Sequence, residues 1–214
     1  MPAPETALLP PILHRDDRIV VFDKPARLLS VPGIGPDKQD CLAARVRGPF
    51  PGARIVHRLD RDTSGVIVMA LDAEAHRQLS IQFQERQAGK TYIAVVHGIV
   101  ADDAGEIDLP IRKDRDHPPL QIVDRERGRP SVTRWRIVER LADRTRLELT
   151  PLTGRSHQLR IHLREIGHPI LGDVLYAPAE VRALADRLLL HAHRLAIVHP
   201  GTAAPMTFTA PCPF

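Results

Sequence analysis

Residues 66–96 read VIVMALDAEAHRQLSIQFQERQAGKTYIAVV, a strand, a helix and a second strand in succession. Residues 66–70 are a continuous apolar run bounded by Gly65 and Leu71-Asp72, the pattern of a buried strand. Asp72 then offers a helix N-cap, Ala75, Leu79 and Phe83 recur every four residues in a helix expected to reach Ala88, and Gly89 suits the C′ position. Residues 90–96 alternate, with Tyr92, Ala94 and Val96 on one face and Ile93 and Val95 on the other.

Upstream, residues 18–22 (RIVVF) form another β-branched run, ended by Asp23-Lys24-Pro25. Downstream, residues 132–138 set Thr133, Trp135 and Ile137 against arginines, and residues 146–150 set Leu147 and Leu149 against polar neighbours. Such one-sided burial marks antiparallel pairing. Residues 156–166 read as a helix with Ser156 as N-cap, Leu159, Leu163 and Ile166 on its apolar face, a polar opposite face, and Gly167 just past its end. Pro178 opens a further helix through Leu188, with Val181, Leu184 and Leu188 inward, before strand patterns return at 190–198 and 206–210. Strands and helices mix without regular βαβ alternation. The expected fold is therefore α+β, a single domain over residues 12–214 with a large, mostly antiparallel mixed sheet flanked by helices and loops. The first eleven residues, with four prolines and no periodicity, read as an N-terminal tail.

A chain of 214 residues with 43% hydrophobic content can bury one substantial core. No window approaches the roughly 18 apolar residues of a membrane span, and the N-terminus lacks a basic region before its apolar residues, so a cytoplasmic protein is expected. Two distant cysteines, Cys41 and Cys212, supply neither a disulfide framework nor a zinc site. The net charge of +4 is unevenly spread: residues 1–110 hold 13 basic and 15 acidic side chains, residues 111–214 hold 17 and 11. Arg112, Lys113, Arg115, Arg125, Arg127 and Arg129 form the densest candidate for a phosphate-facing surface; a solvated arginine-rich face is the plainer reading.

Two polar clusters stand out. In residues 57–65, HRLDRDTSG, Asp60 lies between Arg58 and Arg61, whose charge would keep it ionised as a nucleophile or base. A turn aspartate paired with arginine reads the same spacing equally well. In residues 154–162, GRSHQLRIH, His157, Arg160 and Arg164 share one helix face near an N-terminus that attracts anions. Tyr92 is either a core tyrosine or a ring that stacks on a base or moves a proton. No histidine group completes a metal-ligand set, and no glycine-rich phosphate loop occurs, so neither metal nor nucleotide cofactor is expected. Ser156 and His157 with Asp60 name a hydrolase triad, but GRSHQ lacks the nucleophile elbow.

Taken in order, HRLDRDTSG, KTYIAVV, GRSHQLRIH, HPILGD and RLLLHA resemble the motifs of the RluA-type pseudouridine synthases, from about Ile12 to the C-terminus. The resemblance implies a cofactor-free isomerase that flips a uridine out of structured RNA. It implies Asp60 as catalytic aspartate, Tyr92 beside the base, Arg160 pairing with Asp60, and Arg58 filling the vacated stack. RNA contacts are expected from Arg58, His57, Arg61, Arg112, Arg115, Arg155 and His157. The substrate expected is a 23S ribosomal RNA stem-loop together with a transfer RNA anticodon stem-loop, acted on by a monomer; a transfer-RNA-only synthase and a non-catalytic RNA-binding module are the alternatives. Two departures stand out: an S4-type domain is not expected here, and Lys24-Pro25-Ala26-Arg27-Leu28 carries Arg27 where relatives commonly place glycine. A positive φ at that position would strain an arginine.

Overall fold

The computed structural model describes residues 8–214; the start of the expected tail, residues 1–7, lies outside the described residues. The chain forms β1 (Ile12–Arg15), β2 (Ile19–Lys24), α1 (Leu42–Arg47), β3 (Arg54–Ile55), β4 (Ser64–Ala70), α2 (Ala73–Gln84) and β5 (Gly89–His97). There follow β6 (Ala104–Asp108), β7 (Ile111–Lys113), β8 (Gln121–Val123), β9 (Val132–Arg140), β10 (Arg144–Pro151), α3 (Gln158–Glu165), α4 (Ala179–Arg182), β11 (Leu190–Val198) and β12 (Pro205–Thr209). The fold is α+β with a large, mostly antiparallel sheet. No helix among the described residues is long and apolar enough to cross a membrane. Two compact units divide the chain: one runs up to Gly89 and takes in Ala192–Pro211, the other comprises Lys90–His191 with Cys212–Phe214. No linker or composition shift marks that division in the sequence.

In the first unit the strand order is β1-β2-β4-β11, with β3 added to β4 and β12 to β11. β2 and β4 pair antiparallel from Ile19 opposite Ala70 to Lys24 opposite Gly65. Their continuous apolar runs are buried on both faces, and one face (Val21, Val66, Val68) packs on Ala75 and Leu79 of α2 and on Leu195 and Phe208. Asp72 caps α2 as its position predicts, its carboxylate accepting from the N–H groups of Glu74 and Ala75 at 2.9 Å each. The helix stops at Gln84, short of Ala88. Arg86 takes a left-handed φ of 62° and the Gln87 N–H returns to the Gln82 carbonyl at 2.8 Å, so arginine closes a Schellman turn that glycine was expected to close. Gly89 instead opens β5. The Gln82 side chain anchors this last turn by bonding both ways with the backbone of Val198, 2.8 Å each.

The second unit holds the order β5-β10-β9-β6, antiparallel throughout. Ala94, Val96, Trp135, Leu147 and Leu149 make the face that packs on Leu159 and Leu163 of α3, as the alternation predicts. Its arginines pair across strands: Arg134 with Glu106 at 2.7 Å, Arg136 with Glu148 at 2.8 Å and, from the end of β9, Arg140 with Asp103 at 2.8 Å. β7 and β8 form a separate hairpin, extended by a bridge between Ile111 and Arg129. Three-residue strands are too short for a period of two to register in sequence.

Two helices differ from expectation. α3 starts at Gln158, two residues past Ser156, and its N-cap residue is His157 at φ 56°. The turn before it is held by Gln158, whose side chain accepts from the Thr153 hydroxyl (2.7 Å) and the Arg155 N–H (3.0 Å) and donates to the Val132 carbonyl (3.0 Å). The polar side of α3 is not solvated either, since Arg160 and His162 are buried. α4 ends at Arg182; the Leu184 N–H turns to the nearer Val181 carbonyl and its side chain is 43% exposed rather than inward.

Candidate active site

The Asp60 loop is fixed from beneath. Ser30 donates its hydroxyl to the Leu59 carbonyl (2.8 Å) and accepts the Leu59 N–H (3.1 Å), a reciprocal clamp one residue before the carboxylate. Lys24 lies wholly buried, its ammonium donating to the carbonyls of Leu28 (2.7 Å), Pro25 (2.9 Å) and Arg61 (3.2 Å). One ammonium therefore ties the turn at 24–28 to the residue following Asp60. Within that turn Arg27 has φ 67°, the strained conformation foreseen for a non-glycine residue there. The Thr63 N–H closes the loop on the Asp60 carbonyl at 3.2 Å. Gly65, at φ 113°, begins β4 where any Cβ would collide with the Ala192 carbonyl. Asp60 itself is half-buried, on a loop whose backbone is bonded on either side of it.

Among the basic neighbours, Arg61 is 57% exposed and pairs with Asp62 at 3.1 Å, so its charge is shared with that carboxylate. Arg58 is exposed and has no ion pair among the described residues. His57, expected to contact RNA, is half-buried. Its ring stacks on Phe83 with centroids 4.4 Å apart and its Nε2 accepts the Val68 N–H at 3.2 Å, which makes it a brace for β4 and α2.

In the second unit, Arg160 is 2% exposed and bidentate with Asp173, itself 1% exposed: Nε meets Oδ2 at 2.8 Å and Nη2 meets Oδ1 at 2.5 Å. A buried guanidinium so chelated is locked in plane and charge. Asp173 sits in the HPILGD motif but carried no role in the sequence reading; nothing short of the fold places it thirteen residues along and beside Arg160. Gln158 and His162 of GRSHQLRIH serve the core. His162 bonds the Thr133 hydroxyl and the Leu109 carbonyl at 2.9 Å each, and burial pushes its pKa down, keeping a neutral ring. Tyr92 is half-buried on the core-facing side of β5, opposite Leu149.

The triad reading fails on geometry: Ser156 is exposed with no hydrogen bond on its hydroxyl among the described residues, while His157 Nδ1 lies 2.6 Å from the Tyr176 hydroxyl. Arg155 is half-buried, its Nε donating to the Pro130 carbonyl at 3.3 Å.

The hairpin sorts its arginines into two kinds. Arg112 is a buckle, bonded to Asp124 at 2.5 Å and to the Lys113 carbonyl at 3.0 Å. That bond, with the backbone N–H groups of Arg127 and Glu126, holds the Asp124 pKa at about 2. Arg115, Arg125, Arg127 and Arg129 are exposed, with no ion pair among the described residues.

The RNA pseudouridylate synthase family model matches residues 18–165. The curated "Dual-specificity RNA pseudouridine synthase RluA" of Yersinia pestis is 49% identical over 204 residues, 95% of this chain and 99% of that protein. Its namesake in Escherichia coli (strain K12) is 50% identical over 204 residues, 95% of this chain and 93% of that protein. Among solved structures, "Human RNA Pseudouridylate Synthase Domain Containing 1" matches with TM-score 0.81 and 28% identity over 100% of this chain and 87% of that one. With half of its residues shared along nearly its whole length, the chain belongs to the RNA pseudouridylate synthase family and is a pseudouridine synthase.

Proposed function

We propose that Asp60 is the carboxylate with which this enzyme isomerises uridine in both ribosomal and transfer RNA stem-loops, acting as a cytoplasmic monomer without metal or cofactor. The observation that carries the catalytic assignment is the double clamp on the Asp60 loop: Ser30 on Leu59 and Lys24 on Arg61 fix the backbone on both sides of one half-buried carboxylate. Such preorganisation is what a nucleophile or base requires. The dual substrate rests on the similarity to relatives bearing that name over nearly their full length.

The reaction breaks the C1′–N1 bond, turns the uracil and forms C1′–C5; the hydrogen on C5 leaves as a proton while the freed N1 takes one up, so atoms and electrons balance without a co-reactant. Uracil stacked in a stem-loop must first leave the stack. Arg58, exposed and uncompensated, is the side chain proposed to take its place. Tyr92 and Arg160 are assigned to the reaction by their motifs. Arg115, Arg125, Arg127 and Arg129 are assigned to phosphates because their charge is not spent on neighbouring carboxylates.

Tritium release from [5-³H]uridine-labelled ribosomal and transfer RNA transcripts tests the reading, with wild type and Asp60→Asn side by side. Release from both RNAs by wild type and none by the variant is expected; release by Asp60→Asn at the wild-type rate would remove Asp60 from the chemistry. Release from transfer RNA alone would narrow the substrate.

A further inference from the structure

We infer that Tyr176 is a positioning residue that holds His157 and Arg160 in register with the arginine hairpin; the inference rests on the function proposed above. Asp173 is the start of the arrangement. Besides chelating Arg160, its Oδ1 accepts the N–H groups of Leu175 (2.9 Å) and Tyr176 (3.1 Å), so the chain wraps tightly around the carboxylate. The wrap is possible because Gly172 has φ 71° and abuts the Arg187 carbonyl, where a Cβ has no room. It delivers the Tyr176 ring to two cations, with Arg160 Cζ 5.1 Å and Arg164 Cζ 5.5 Å from the ring centroid.

The phenol oxygen is where two elements meet. It accepts the backbone N–H of Gln121, the first residue of β8, at 2.9 Å, and lies 2.6 Å from His157 Nδ1. One oxygen thus joins the backbone of β8 to the His157 ring. The same bond restrains His157 at the left-handed φ of 56° from which α3 departs, three residues before Arg160. Tyr176 is 5% exposed, so none of this is surface decoration. Gln121 in turn begins the strand leading to Arg125, Arg127 and Arg129. A phosphate backbone held by those arginines is thereby registered, through one hydroxyl, to the start of the helix that carries Arg160.

The test removes that hydroxyl and leaves the ring. Single-turnover tritium release at saturating RNA is measured for the full chain as wild type, Tyr176→Phe, His157→Ala and the double variant, on [5-³H]uridine-labelled ribosomal and transfer RNA stem-loop transcripts. RNA affinity is measured in parallel against salt. Tyr176→Phe is expected to keep its affinity and salt slope within about twofold and to lose about 10- to 100-fold in rate, the cost of small misplacements in a reacting geometry. The double variant should be no slower than the slower single one, since the hydroxyl acts through His157. A Tyr176→Phe rate within twofold of wild type, with only thermal stability reduced, would make the phenol structural and overturn the inference alone. Multiplicative losses in the double variant would overturn it as well. Silence of the wild type itself would overturn the parent reading, and this one with it.

Discussion

Lys24→Met removes an ammonium from a site that water does not reach and leaves the carbonyls of Pro25, Leu28 and Arg61, which accept from it, facing a thioether. Each stranded carbonyl costs on the order of 1 kcal/mol, so the loss expected is about 3 kcal/mol, with relief of the buried charge offsetting part of any excess. At this chain length about 3 kcal/mol corresponds to roughly 6–12 °C in Tm. The loss falls unevenly, because the Arg61 carbonyl belongs to the residue after Asp60. Tritium release should therefore drop about tenfold or more at temperatures where the variant is still folded. Urea unfolding followed by circular dichroism supplies the stability, and release below the unfolding transition supplies the activity. A variant within about 1 kcal/mol of wild type, or one that is destabilised yet turns over normally when folded, would refute the claim that this lysine holds the catalytic loop.

Gly65→Ala forces a Cβ onto the Ala192 carbonyl from a backbone at φ 113°, and a loss of about 3 kcal/mol or more, visible as little folded protein at 37 °C, is expected; near-native stability would contradict the close approach. Arg27→Gly should stabilise by about 0.5–1 kcal/mol, because the strain of φ 67° exceeds the added freedom of glycine in the unfolded chain; a lower Tm would mean that the arginine side chain outweighs that strain. Asp16 is raised by burial but lowered further by hydrogen bonds from His14 and the N–H groups of Arg18 and Ile19, reaching about 2. Its folded pKa lies below its unfolded one, so its contribution is present above about pH 4 and is lost as pH falls towards 2. Asp16→Asn should cost about 1–2 kcal/mol at pH 7 and progressively less below pH 4; a difference independent of pH would refute the assignment.

Much of this was legible in the sequence where a residue's neighbours along the chain decide its state. The runs that became β2, β4 and β5, the Asp72 cap and the alternation of β9 and β10 depend on local pattern, while the family motifs only nominated Asp60, Tyr92 and Arg160. Legibility ended where a distant partner decides. Arg86 closes α2 although nothing in its side chain favours φ 62°, because Gln82 has already been fixed by Val198. Ser156 has every property of a cap, yet Gln158 claims the preceding turn and Tyr176 claims His157. Lys24 was part of a turn signal, and its three carbonyls exist only in the fold. Asp173 had a motif and Tyr176 had none, and neither had a partner until α3 was laid beside them.

The cross-strand pairing of Arg134, Arg136 and Arg140 has a kinetic consequence. An arginine matched by a carboxylate at 2.7 or 2.8 Å is a short dipole, and in salt with a screening length of about 8 Å its field has vanished before a polyanion arrives. Arg115, Arg125, Arg127 and Arg129 remain monopoles. The basic count of this unit therefore overstates its pull while understating its directionality: encounters are drawn to one arm of the surface, and the speed of capture, more than the lifetime of what is captured, is what rising ionic strength should erode.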